Sequence, residues 1–119
     1  MLLRQDELPS AVVTFNDRSA VGLLDALTRA GIRVPEQMSV VGYDDSPQSH
    51  WAHIELTTVS QEAGQQAKYA VASVIDRLGG RTELREIVLT PRLVVRATTG
   101  PCPSPGSTRR LVADRQLHR

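Results

Sequence analysis

Two polar residues, each placed directly after a short apolar run, are the strongest candidates in this chain for contact with a small molecule. Asn16 follows Ala-Val-Val-Thr-Phe (11–15), and Asp44 follows Ser-Val-Val-Gly-Tyr (39–43). In an open parallel α/β sheet, ligands bind in the crevice outside the carboxyl ends of the strands, so an amide and a carboxylate at two such ends would share that crevice. A carboxylate accepts two hydroxyl hydrogens in charge-assisted bonds, and an amide offers a donor and an acceptor on one planar group. The pair suits a small, hydroxyl-rich molecule. The same residues also fit plain turns, Asn16 as a turn former and Asp44 as the acceptor of an Asp-Asp-Ser-Pro loop. Asp17 is expected to cap the following helix, and Asp45 to serve loop structure.

Other chemistries find less support. No G-x-S-x-G elbow occurs, and Cys102 lies far along the chain from His50. Gly22, Gly31 and Gly42 do not form a phosphate-cradling loop. Adjacent carboxylates such as Asp44 and Asp45 point to opposite sides of an extended segment, which is poor geometry for acid–base work on one bond. An enzyme is therefore not expected. His50 and His53 flank Trp51 and raise a metal pair completed by Asp44 or Asp45, but neither H-E-x-x-H nor a cysteine pair is present. No metal and no cofactor is expected, and this stretch reads better as an exposed segment that meets a partner.

Composition narrows the class. The 119 residues suffice for one modest domain. A net charge of +1 gives no electrostatic case for nucleic acid or membrane, and aromatics at 3% leave no stacking platform for single strands. One cysteine excludes an internal disulfide. The opening Met-Leu-Leu-Arg-Gln-Asp lacks the apolar run of a secretory signal, and no segment reaches the length of a membrane span, so a cytoplasmic protein is expected.

The polar candidates need elements to hold them. Residues 11–15 and 39–43 read as strands covered on both faces. Between them Ala20, Leu23, Leu24, Leu27 and Ala30 recur at helical spacing, and Gly31 supplies the left-handed residue that closes such a helix. Residues 44–54 read as irregular and 57–60 as a short strand. Ala67, Ala70, Val71, Val74, Ile75 and Leu78 form a second helical stripe over 62–78, ended by Gly79 and Gly80. Residues 86–89 and 93–96 are strand candidates interrupted by Pro91. After Thr99, prolines and then Arg109, Arg110, Arg115 and Arg119 suggest a disordered tail over 101–119; such arginines more often mean solvation than phosphate contact. Alternating strands and helices argue an α/β fold with a parallel sheet and flanking helices.

Taken in order, Phe15-Asn16-Asp17, Ala30-Gly31, Val34-Pro35-Glu36, Ser39 to Asp45, Leu56 to Gln61 and Leu93 to Thr99 resemble the C-terminal part of the effector-binding domain of LacI/GalR-type transcriptional regulators. The resemblance spans roughly residues 9–99. It implies a partial periplasmic-binding-protein-like (type I) fold, truncated at the N-terminus. Residues 1–100 would be a partial sugar-binding domain: 11–56 half of the C-terminal lobe, 57–61 a crossover, 62–91 a piece of the other lobe, and 92–100 a return strand. It implies that Asn16, Asp44 and Gln61 contact the hydroxyls of a small-molecule effector, a sugar or nucleoside-like compound. It implies a homodimer with Val21, Leu24, Gln48, Trp51 and His53 at the interface. Trp51 would anchor that interface, or alternatively only cover its own lobe. DNA would be met only through a helix-turn-helix outside these residues. The expected function is effector sensing; the alternatives are a lone sugar-binding transport-type protein and a nonfunctional remnant whose second helix leaves Val71, Val74 and Ile75 uncovered.

Overall fold

A computed structural model of the chain describes residues 8–104. The elements in order are β1 (Ala11–Val13), α1 (Asp17–Arg29), β2 (Ser39–Val41), a 3-10 turn (Pro47–His50), β3 (Thr58–Ser60), α2 (Ala63–Leu78) and β4 (Arg92–Val94). β1 and β2 pair in parallel, Ala11 opposite Ser39 and Val13 opposite Val41. Val41 forms a further parallel bridge to Thr57, which brings the start of β3 beside the end of β2. β3 and β4 pair antiparallel, Thr58 opposite Val94 and Ser60 opposite Arg92. The parallel arrangement therefore holds for the first part of the chain, while β3 and β4 form a two-stranded antiparallel ribbon.

Helix α1 shows why this sequence folds here. Its apolar positions Ala20 and Leu27 are fully buried and join Leu8, Ile32, Met38, Val40 and Leu56 in one core, with Val12, Leu23, Leu24, Val34 and Ile54 packed around it. The helix stops because Gly31 adopts φ 69°, a left-handed conformation that a side chain disfavours. The Gly31 N–H then donates to Thr28 O (3.0 Å) and the Ile32 N–H to Leu27 O (2.9 Å), a Schellman closure whose flanking apolar contact is Leu27 with Ile32, both in the core.

At the other end the cap is Asn16 and not Asp17. Asn16 has extended backbone angles (φ −158°, ψ 175°), and its Oδ1 accepts from the Ser19 N–H at 2.9 Å. Asp17 is already the first helical residue, and its side chain turns inward, with 1% of its surface exposed. Strand β1 departs from expectation as well. It is not covered on both faces: Val13 is 75% and Phe15 87% exposed, because β1 is paired only on its β2 side. Of the two late strand candidates, 93–96 is met in part by β4 at 92–94, while 86–89 takes no strand pairing among the described residues.

The chain returns to the first core after β4. The Ala97 N–H donates to Glu55 O (2.7 Å) and the Val40 N–H to Thr98 O (2.8 Å). The buried Thr98 hydroxyl donates to Val40 O (2.7 Å) and accepts from the Thr57 N–H (2.9 Å). A side-chain hydroxyl thus completes the pairing that β2 lacks on that flank. Helix α2 stands apart: none of its residues is buried, and Val71, Val74, Ile75 and Leu78 are all exposed. Residues 105–119, most of the expected tail, lie outside the described residues.

Candidate functional site

Beyond the ends of β1 and β2, Phe15, Asn16, Tyr43, Asp44 and Gln61 line one cavity of about 320 Å³. Three separate elements bring them there. The end of β1 leads into Asn16, β2 runs on through Gly42 and Tyr43 to Asp44, and β3 ends one residue before Gln61. Gln61 Nε2 donates to Asp44 Oδ1 at 2.8 Å, so the two are in direct contact. Gln61 is itself held, because Gln66 from the first turn of α2 donates to its backbone oxygen at 2.6 Å. Asn16 spends its Oδ1 on the helix cap, which leaves its NH2 as the group a ligand would meet.

The lining of the site combines polar and aromatic side chains. Asp44 and Gln61 are a carboxylate and an amide that can exchange their mutual bond for bonds to hydroxyls of comparable strength. Phe15 and Tyr43 supply apolar ring surface next to them. The chain has four aromatic residues, one Phe, one Trp and two Tyr, and two of the four stand at this cavity. That arrangement accepts a molecule with a hydroxylated edge and an apolar face. Phe15 and Tyr43 did not stand out in the sequence as site residues. Their positions directly before Asn16 and Asp44 were the available signal, since a strand end aims neighbouring side chains at one crevice.

Asp17 does not line the cavity; it is buried and ties together the elements that form it. One carboxylate oxygen accepts from the Ser46 N–H at 2.6 Å, the other from the Thr58 hydroxyl, and the Asp17 N–H donates to Tyr43 O at 2.9 Å. Gly42 is required beside it: a Cβ there would collide with the Asp17 carboxylate and come within 2.8 Å of Leu56 Cδ2. Asp45, expected to serve only loop structure, sits in a second polar cluster. Its Oδ1 lies 2.7 Å from Arg96 Nη2 and 3.1 Å from His50 Nε2. Burial alone would raise the Asp45 pKa; the hydrogen bond and charge of Arg96, with Ser49 and His50, outweigh it and hold the carboxyl below its usual range.

The residues expected at a partner surface divide into two groups. Val21, Leu24 and His53 line one groove of about 970 Å³ between α1 and residues 52–55. Gln48, within the 3-10 turn, and Trp51, which follows it, do not line the groove. Trp51 is 47% exposed and stacks on His53 with ring centroids 5.7 Å apart, so it does not serve the core. His50 and His53 do not converge. One faces Asp45 and Arg96, the other Trp51, and no cluster of three or more metal-ligating side chains occurs among the described residues. No helix among them is long and apolar enough to cross a membrane.

Comparison with known proteins identifies the family and the fold. The pattern of the periplasmic binding protein-like domain matches residues 1–99. The chain is 39% identical over 99 residues to the HTH-type transcriptional repressor PurR of Haemophilus influenzae (strain PittEE), a match covering 80% of this chain and 30% of that protein. A LacI transcriptional regulator from a Rhodococcus species superposes with a TM-score of 0.79 at 47% identity, over 86% of this chain and 38% of the other. A LacI family regulator from Lactobacillus casei, solved with bound sucrose, superposes with a TM-score of 0.67 at 36% identity, over 76% and 34% of the two chains. The chain thus spans about a third of the length of the proteins it matches.

Proposed function

This chain belongs to the periplasmic-binding-protein-like domain family as part of an effector-binding domain of the LacI/GalR type, and we propose that it contributes the sugar-contacting half of an effector cleft. The observation that carries this is the shared cavity of Asn16, Asp44 and Gln61, with the Gln61–Asp44 bond of 2.8 Å across it. The Asp44 carboxylate takes two hydroxyl hydrogens, Gln61 and the Asn16 NH2 add directional bonds, and Phe15 and Tyr43 cover the apolar face of the ring. The sucrose held by the Lactobacillus casei relative favours a saccharide over other polyols. A cleft between two lobes gains closure energy from its ligand, and a regulator converts that closure into a change at a distant DNA-binding site. In that scheme the groove bounded by Val21, Leu24 and His53, with Trp51 and Gln48 beside it, meets a second subunit.

Calorimetric titration with a panel of mono- and disaccharides tests the reading. At least one saccharide is expected to bind, and Asp44→Ala is expected to weaken it about tenfold or more, since a hydrogen bond to a charged group contributes about 1.5–3 kcal/mol. Equal affinity in the wild type and Asp44→Ala would remove Asp44 from the site. Silence across the panel would remove saccharides as the ligand class.

A further inference from the structure

The Asp44 turn has an unusual backbone. Asp44 has φ 110° and Asp45 φ 53°, two successive left-handed residues with side chains. Such conformations persist only where surrounding contacts over-determine them. Three backbone bonds contribute: the Asp44 N–H to Val59 O (2.9 Å), the Asp45 N–H to Thr58 Oγ1 (3.4 Å), and the Ser46 N–H to Asp17 Oδ2 (2.6 Å). Within the same loop Ser49 Oγ donates to Asp45 Oδ1 at 3.2 Å and His50 Nε2 lies 3.1 Å from it, and a further constraint comes from a side chain far along the chain. Arg96 Nη2 donates to Asp45 Oδ1 at 2.7 Å, while its Nη1 donates to Leu56 O (2.7 Å) and to Ser49 Oγ (3.1 Å). The Arg96 and Asp45 side chains are only 12% and 16% exposed, so water competes poorly for them.

We infer that Arg96 is a positioning residue for the ligand-binding carboxylate: by gripping Asp45 it fixes the left-handed turn that aims Asp44 at Gln61. The inference rests on the assignment of Asp44 to the effector site. Arg96 follows β4, and β4 pairs with the β3 strand that delivers Gln61, so one guanidinium joins the two segments carrying the polar pair. Its planar fork is needed, because three acceptors in different directions are held at once, and an ammonium group on a flexible stem does not reproduce that. The same side chain reaches Ser49 and His50, the end of the turn that leads to Trp51 and His53. The ligand turn and the proposed subunit surface therefore share this anchor.

The test needs no ligand. In the full chain, the side-chain amide resonances of Gln61 report its bond to Asp44, while the methyls of Ala20 and Leu27 report the core. In Arg96→Met and in Asp45→Asn the Gln61 amide is expected to move to the position of a free glutamine, with the core methyls unshifted. Arg96→Lys is expected to give a partial return, because it restores charge without the fork. An unmoved Gln61 amide in both Arg96→Met and Asp45→Asn overturns the inference. Loss of core and Gln61 signals together in all three variants also overturns it, since Arg96 would then be a general stability residue. Failure of saccharide binding in the calorimetric experiment leaves this result intact, and the two readings fall separately.

Discussion

Asn16 carries two duties that substitution can separate. Its Oδ1 closes the first turn of α1, and the residue lines the cavity, where its NH2 is the donor left for a ligand. Asn16→Ala is expected to cost about 1 kcal/mol, the usual value of a lost cap, as read by urea denaturation. Asn16→Asp keeps an acceptor at the cap and removes the amide donor, so stability should hold while saccharide affinity falls; equal destabilisation by both would assign Asn16 to capping alone. Asp45 gives a pH prediction. Its folded pKa is depressed, by Arg96 first and then Ser49 and His50 against the opposing effect of burial. A depressed carboxyl contributes stability that is fully present above its unfolded value near 3.8 and is lost as pH falls through the folded value. Acid titration of the wild type should therefore lose stability below about pH 4 more steeply than Asp45→Asn, and parallel curves would show the ion pair to be inert. Part of this residue-scale detail was legible. A polar residue after each apolar run pointed to Asn16 and Asp44. That the cap is Asn16 and not Asp17 was not legible, because both residue types cap helices and only the inward turn of Asp17 toward Ser46 and Thr58 decides between them.

At the scale of elements, α1 and α2 look alike in sequence and differ in the fold. Both show apolar residues at helical spacing, and both end in glycine with a Schellman closure, the Arg81 N–H reaching Asp76 O at 3.1 Å after Gly80 at φ 98°. Periodicity reveals which face of a helix is apolar but not whether anything covers it. Leu27 is fully buried, whereas Ile75 is 62% exposed. Leu27→Ala should cost about 2–5 kcal/mol, as in other well-packed cores. Ile75→Ala should stay within about 0.5 kcal/mol, the range of exposed substitutions. A large effect at Ile75 in denaturation of the same chain would mean that α2 is covered by a contact outside the described residues. The short strands show the converse limit. Val-Val pairs at 12–13 and 40–41 identified β1 and β2, yet the openness of β1 follows from its place at the edge of the pairing, which no local run of residues encodes.

At the scale of the whole molecule, the chain divides into a covered unit and an uncovered one joined by the β3–β4 ribbon. The core draws on residues 8–56 and is completed by 97–100, while the helix between them buries nothing. The order of motifs made it readable that the Leu93 to Thr99 stretch belongs with the opening one, and the structure brings 97–99 back to the first core. What that order could not reveal was the means of attachment, a threonine hydroxyl and a guanidinium acting where a further strand would ordinarily pair. That seam has a consequence for biosynthesis. Chains are made from the amino end at about 5–20 residues per second. Until Thr98 has left the ribosome, the Val40 amide and carbonyl in the middle of the nascent core have no partner on that flank. The first half of the protein must therefore wait several seconds for the last stitch, and a nascent chain arrested before that residue should be the species that chaperones and proteases find.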